Sequence, residues 1–165
     1  MNDRTTPQTR PGDVPLSGFR SGIGAGTPVM TTDGLIPAGY LAPGDRIVTF
    51  DAGALRLERL GYCDIPARAA LLVRPAMLDP ADTSPDMVIA ARQLLLIRGW
   101  RAWAMFGKRM AVVEAARMID GAYVARMTGA APVRLIVLGL AGGEHVIQLG
   151  GGFEMLSARA VESVG

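Results

Sequence analysis

The chain of 165 residues carries one cysteine, Cys63, and one histidine, His145. A single thiol excludes an internal disulfide and any cysteine-built zinc cage. A single imidazole excludes a multi-histidine metal site. Net charge is only +2, too small to mark nucleic acid or an anionic membrane as the partner. Long apolar runs are missing as well: residues 94–97 and 135–138 are among the longest, against the ~20 needed to span a bilayer as a helix. No charged-then-apolar stretch opens the chain in the manner of a secretory signal. That leaves the compartment open, cytoplasmic or exported as part of an assembly. Residues 75–86 hold Asp79, Asp82 and Asp86 but lack the Gly and terminal Glu spacing of an EF-hand, so a solvated loop is expected there. The glycine-rich run Gly22-Ile23-Gly24-Ala25-Gly26-Thr27 follows a polar stretch, precedes a strand and holds no Lys. It is neither a dinucleotide fingerprint nor a phosphate loop. No cofactor and no metal are expected.

What the chain does have is punctuation. Twenty-one glycines and eleven prolines interrupt short β-branched runs, the pattern of an all-β fold with many turns. Within residues 26–50, the runs at 28–30 and 46–50 flank two turns. One is Asp33-Gly34, where Gly supplies positive φ. The other is Pro43-Gly44-Asp45, where Pro presets the first corner. Ile36, Ala38, Leu41, Gly44 and Ile47 then align with Val113, Ala115, Met118, Gly121 and Val124 at one fixed offset of 77. Self-similarity of this kind points to two related halves.

Further strands are expected at residues 55–60, 69–73, 87–97, 123–127, 133–140 and 145–149. Cys63 falls in the join at 61–68, where a lone thiol reads as a small core filler. Residues 111–119 have apolar positions near three- and four-residue spacing, which predicts the one short helix. Arg98, Trp100, Arg101 and Trp103 interleave cations with rings. They read either as a binding surface for nucleic acid or glycan, or as a hairpin with Trp packed inward and Arg stems lying over apolar surface. Residues 1–21 are polar, with Pro7, Pro11 and Pro15, and read as a flexible arm ahead of a domain at 22–165.

Gly26-Thr27-Pro28-Val29, Asp33-Gly34 and Leu41-Ala42-Pro43-Gly44-Asp45-Arg46-Ile47 resemble the opening of Hint domains, the Hedgehog/intein autoprocessing family. The second half of the family's pattern is met by Ala90-Ala91-Arg92-Gln93-Leu94-Leu95, Arg98-Gly99-Trp100, Met105-Phe106-Gly107, Ala115-Ala116-Arg117-Met118 and Gly121. The bacterial stand-alone subgroup is the most similar, and the likeness runs from about residue 22 to 160. It implies a compact Hint-like horseshoe of two pseudo-symmetric halves. By the same likeness, the family's nucleophilic Cys falls at Gly22 and the His of its second block at Gln93.

Hint chemistry starts when a thiol or hydroxyl attacks the carbonyl just before it, with a group to polarise the amide and a donor for the leaving nitrogen. Gly22 has no side chain to attack with. Gln93 donates hydrogen bonds but does not shuttle protons as His does. The expectation is therefore a catalytically inactive Hint-like domain serving as a structural or protein-interaction module. The arm's Arg4, Arg10 and Arg20 would dock a protein partner, and oligomerisation fits the same reading. One alternative is a component of a larger assembly, such as a phage-like particle or a secreted appendage. Another is self-cleavage at Arg20-Ser21, with Ser21 as nucleophile and His145 assisting. Splicing is not expected, because the sequence ends Glu162-Ser163-Val164-Gly165 without an Asn to cyclise.

Overall fold

Short β-branched segments between turns fold into antiparallel strands in the computed structural model, which describes residues 21–77 and 80–158. The arm with Arg4, Arg10 and Arg20, residue Asp79 and the C-terminal end lie outside the described residues. In chain order the strands are β1 (Pro28–Thr31), β2 (Gly34–Pro37), β3 (Arg46–Thr49), β4 (Gly53–Ile65), β5 (Ala70–Val73), β6 (Met87–Ala90), β7 (Leu94–Arg98), β8 (Met110–Glu114), β9 (Val124–Arg126), β10 (Val133–Leu140), β11 (Val146–Gln148) and β12 (Glu154–Leu156). The one described α-helix, α1 (Trp100–Phe106), links β7 to β8. The larger sheet runs β10-β4-β3-β11-β12-β7-β8, with β1 paired to β3 and β2 to β1; the smaller runs β6-β5-β9. The fold is all-β, as the turn spacing implies.

The repeat has a structural counterpart. Ala38 and Ala115 each open a 3-10 turn, Leu41 and Met118 are buried, and Gly44 and Gly121 both take positive φ. In one half the N–H groups of Ala38 and Gly39 bond the carbonyls of Thr27 and Ala25. In the other, those of Ala115 and Ala116 bond Gln93 and Ala91. The halves differ by insertion: a tight turn joins β1 to β2, whereas α1 sits between β7 and β8.

Several segments differ from expectation. The strand predicted at 55–60 continues through Gly61 and Cys63 to Ile65, because β10 pairs along it with Gly61 opposite Val137 and Cys63 opposite Leu135. A partner strand thus carries the ladder across a glycine that reads as a break in isolation. The strand expected at 87–97 is two strands separated by a turn at 91–93. The helix expected at 111–119 is β8 followed by a 3-10 turn at Ala115–Met118. Its exposure alternates along Met110–Glu114, and pairing with β7 overrides a helical spacing made of the β-branched Val112 and Val113. Where one reading of Arg98, Trp100, Arg101 and Trp103 was a hairpin, residues Trp100–Phe106 form α1, capped by Gly107 in the left-handed region. β12 escaped notice because three residues after a glycine run carry no period.

The core has a large cluster including Val29, Ile47, Leu57, Leu71, Leu95, Ile147, Phe153 and Met155 and a smaller one of Cys63, Ile65, Ala70, Ala90, Leu135 and Val137. Ile23 belongs to the large cluster and is fully buried. It also bridges both sheets, pairing with Ile89 of β6 and with Ile136 of β10. Ile23→Ala removes a buried branched side chain at this junction and is expected to destabilise the protein by about 2–5 kcal/mol, measured by urea denaturation. A loss well below 1 kcal/mol would show that the junction does not hold the two sheets together.

Candidate functional site

Residues 22–24 form a one-strand bridge in which every backbone polar group has a partner. Gly22 N–H donates to Gln93 Oε1 at 2.9 Å, and Gly22 C=O accepts from Ala90 N–H at 3.0 Å. Ile23 exchanges both bonds with Ile136, at 2.9 and 2.7 Å. Gly24 N–H donates to Val88 C=O at 2.8 Å, and Gly24 C=O accepts from Thr27 N–H at 3.0 Å. Buried backbone demands such pairing, since each orphaned group costs about 1–3 kcal/mol.

The glycine at 22 is a steric requirement here. Its φ is +127°, and a Cβ at this position would lie 2.8 Å from the Ile136 carbonyl oxygen and 3.2 Å from Leu135 Cβ. The space where a nucleophilic side chain would start is occupied by β10. Gly24 is similarly confined, its Cβ position lying 2.8 Å from Val88 Cβ.

Gln93 sits in the turn between β6 and β7 and is 3% exposed. Its Nε2 donates to the carbonyls of Leu94 at 3.0 Å and Leu156 at 2.9 Å. Two carbonyl partners on one end and an N–H on the other fix the amide orientation. The opposite end of the Ser21-Gly22 peptide is held by Cys63, whose Sγ lies 3.6 Å from the Ser21 carbonyl oxygen as a weak donor. Burial pushes the Cys63 thiol above its usual range, and the neighbouring Asp64 carboxylate adds to the shift. The Ser21-Gly22 peptide bond is thus held at one end by a neutral amide and at the other by a thiol that burial keeps protonated.

Of the remaining candidates, Ser21 adjoins this pair and the others lie apart from it. Ser21 contributes its carbonyl to Cys63; Arg20, whose carbonyl it would have to attack, lies outside the described residues. His145 is anchored at the turn after β3, with Nδ1 2.9 Å from Asp51 Oδ2 and its backbone N–H on Ser157 Oγ. Its Nε2 is buried without a partner among the described residues. For Asp51, burial favours the neutral acid, but bonds from Val146 N–H and His145 outweigh it and hold the carboxyl below the usual range. Arg98 ion-pairs with Glu154 at 2.7 Å and stacks over Phe50. Trp100, Arg101 and Trp103 lie on α1 instead, with the guanidinium of Arg101 4.7 Å from the Trp100 ring centroid. The two tryptophans are 70% and 56% exposed, so neither packs inward as the hairpin reading held. No group of three metal-ligating side chains is found among the described residues.

Sequence reasoning missed Cys63 as part of the site. Its signal was the register of β4: a strand continued to Ile65 puts Cys63 opposite Leu135, one residue from Ile136, which pairs with Ile23.

A family model for the Hint domain matches residues 22–156. Among solved structures, the chain is similar to a bacterial intein-like domain from Clostridium thermocellum, at 12% identity and a TM-score of 0.55, covering 85% of this chain and 99% of that one. It is also similar to the gp41-1 intein at 9% identity and a TM-score of 0.50, covering 83% and 97%. No curated protein matches the sequence.

Two substitutions follow from this geometry. Gln93→Ala leaves the Gly22 N–H and the Leu94 and Leu156 carbonyls without their side-chain partner. It is expected to cost about 1–3 kcal/mol in urea denaturation with an unchanged m-value. Asp51 has a folded-state pKa below its unfolded value of about 3.9, so its contribution is present above that pH and lost as pH falls through the folded value. Asp51→Asn should therefore flatten the stability profile below about pH 4. Because the carboxylate is partly exposed, the loss near neutrality should stay under about 1 kcal/mol.

Proposed function

Since the chain belongs to the Hint domain family, we propose that it is a catalytically inactive member whose cleavage centre has become a structural clasp, and that it serves as a protein-interaction or structural module. The observation that carries this reading is the hydrogen bond from Gly22 N–H to Gln93 Oε1. At the two positions matching the family's reactive residues stand a glycine and an amide, bonded to each other. Attack on the Ser21 carbonyl needs a nucleophile from residue 22, and Gly22 supplies none. Expulsion of the Gly22 nitrogen needs a proton donor, yet the atom facing it is an acceptor. Cys63, the thiol nearest that carbonyl, is held in the protonated form by burial. The chain enters the clasp from residues 1–20. Their Arg4, Arg10 and Arg20 would supply fixed positive charge for an acidic protein surface.

Intact mass spectrometry tests the reading. The full chain incubated with or without a thiol or hydroxylamine is expected to keep its full mass, with no fragment beginning at Ser21 or Gly22. Either fragment, lost on Ser21→Ala or Cys63→Ala, would overturn it. Gly22→Cys is expected to restore no cleavage. It should also destabilise the fold by roughly 1–3 kcal/mol, because the new Cβ meets the Ile136 carbonyl and the residue is held at positive φ.

A further inference from the structure

Sheet edges are the places where a β protein pairs with other chains unless something blunts them. Most edges here are covered. On β10, Ile136 pairs with Ile23 and Gly139 with Ala158. On β6, Val88 and Ala90 bond the bridge at 22–24, and on β9 the Asp120 carboxylate accepts the Val124 N–H. β2 is short and closes on Pro37, which has no N–H to offer. Its repeat counterpart, β8, has Ala111 where β2 has Gly34 and Glu114 where β2 has Pro37. Among the described residues β8 pairs only with β7.

The direction of its free backbone groups follows from parity. Arg109 C=O accepts from Gly99 N–H and Ala115 N–H donates to Gln93 C=O, so the odd-numbered residues face β7. The N–H and C=O groups of Met110, Val112 and Glu114 therefore point out of the sheet edge. The side chains of Met110 and Val112 are exposed by 54% and 52%, an apolar pair on an open edge.

The geometry points to a second copy of this chain as the occupant: β8 pairs with β8 across a two-fold axis, antiparallel, with Ala111 opposite Ala111. A strand that keeps its buried face in a continuous sheet must pair residues of equal parity. Among such registers, the one centred on Ala111 sets Met110 against Val112 and brings Lys108, in the bend just before β8, beside Glu114, twice each. Met110 and Val112 then exchange both backbone bonds, and the Ala111 pair is the non-bonded pair between them. Centring on Met110 would place Lys108 against Val112, and centring on Val112 would place Glu114 against Met110, so the charge match belongs to the Ala111 register alone. The pairing is isologous and consumes both edges, which closes the assembly at a dimer. This inference stands apart from the catalytic state of the clasp, which is not part of the edge.

Sedimentation of the full chain from micromolar to millimolar concentration tests it through a charge swap on exposed positions. The wild type should dimerise. Lys108→Glu and Glu114→Lys each set two like-charge pairs across the axis and should weaken the dimer roughly tenfold. The double variant restores both pairs and should return to within roughly threefold of wild type. Val112→Pro removes an outward N–H without touching the ladder to β7 and should leave a monomer with an unchanged near-ultraviolet spectrum. A wild type monomeric throughout would overturn the inference. So would a dimer indifferent to the single reversals, or one not recovered by the double variant.

Discussion

The structure depends on a three-residue bridging segment. Residues 22–24 lie between β6 and β10, and their six backbone groups are all bonded, to β6, to β10, to Thr27 and to the Gln93 side chain. Without them the edges of two sheets would face each other unpaired, and Ile23 would leave a void at the centre of the main cluster. An insertion this tight leaves no room for a side chain at 22 or 24, so both glycines follow from the close approach of the neighbouring strands. In this chain, the requirement that holds the sheets together also leaves no room for a side chain at residue 22.

The same economy applies to Gln93. Its backbone C=O accepts the bond that starts the second 3-10 turn, as Thr27 does in the first half. Its side chain meanwhile ties Gly22, Leu94 and Leu156 together. Both residues are buried polar groups at matching places in the two halves, and each reaches across to the neighbouring segment: Thr27 Oγ1 bonds Val88 C=O. A neutral amide suits this role because it donates and accepts at once and is indifferent to pH. The result is a polar network that specifies one arrangement of strands.

Much of this was legible in the sequence, and the limits are physical. Turn glycines such as Gly34, Gly44 and Gly121 announce themselves because positive φ restricts the residue type. The repeat was visible because Ala38 and Ala115 occupy equivalent buried turns that admit only small side chains. The family resemblance singled out Gly22 and Gln93 as positions, but the hydrogen bond between them is visible only in the fold. Long-range pairing was not legible: β4 crosses Gly61 only because β10 lies beside it, and β8 is a strand only because β7 is. Exposure of Trp100 and Trp103 was equally hidden, since a seven-residue helix gives a ring no periodicity that separates inside from outside.

Hydrogen exchange at the amides of Gly22, Ile23 and Gly24 in the native protein tests most directly whether the bridge locks the fold. Amides bonded into a strand that both sheets require should exchange only when the whole domain unfolds, with opening free energies equal to those of β4 and β10. Exchange at the rate of a frayed chain end, while β4 and β10 stay protected, would contradict that dependence.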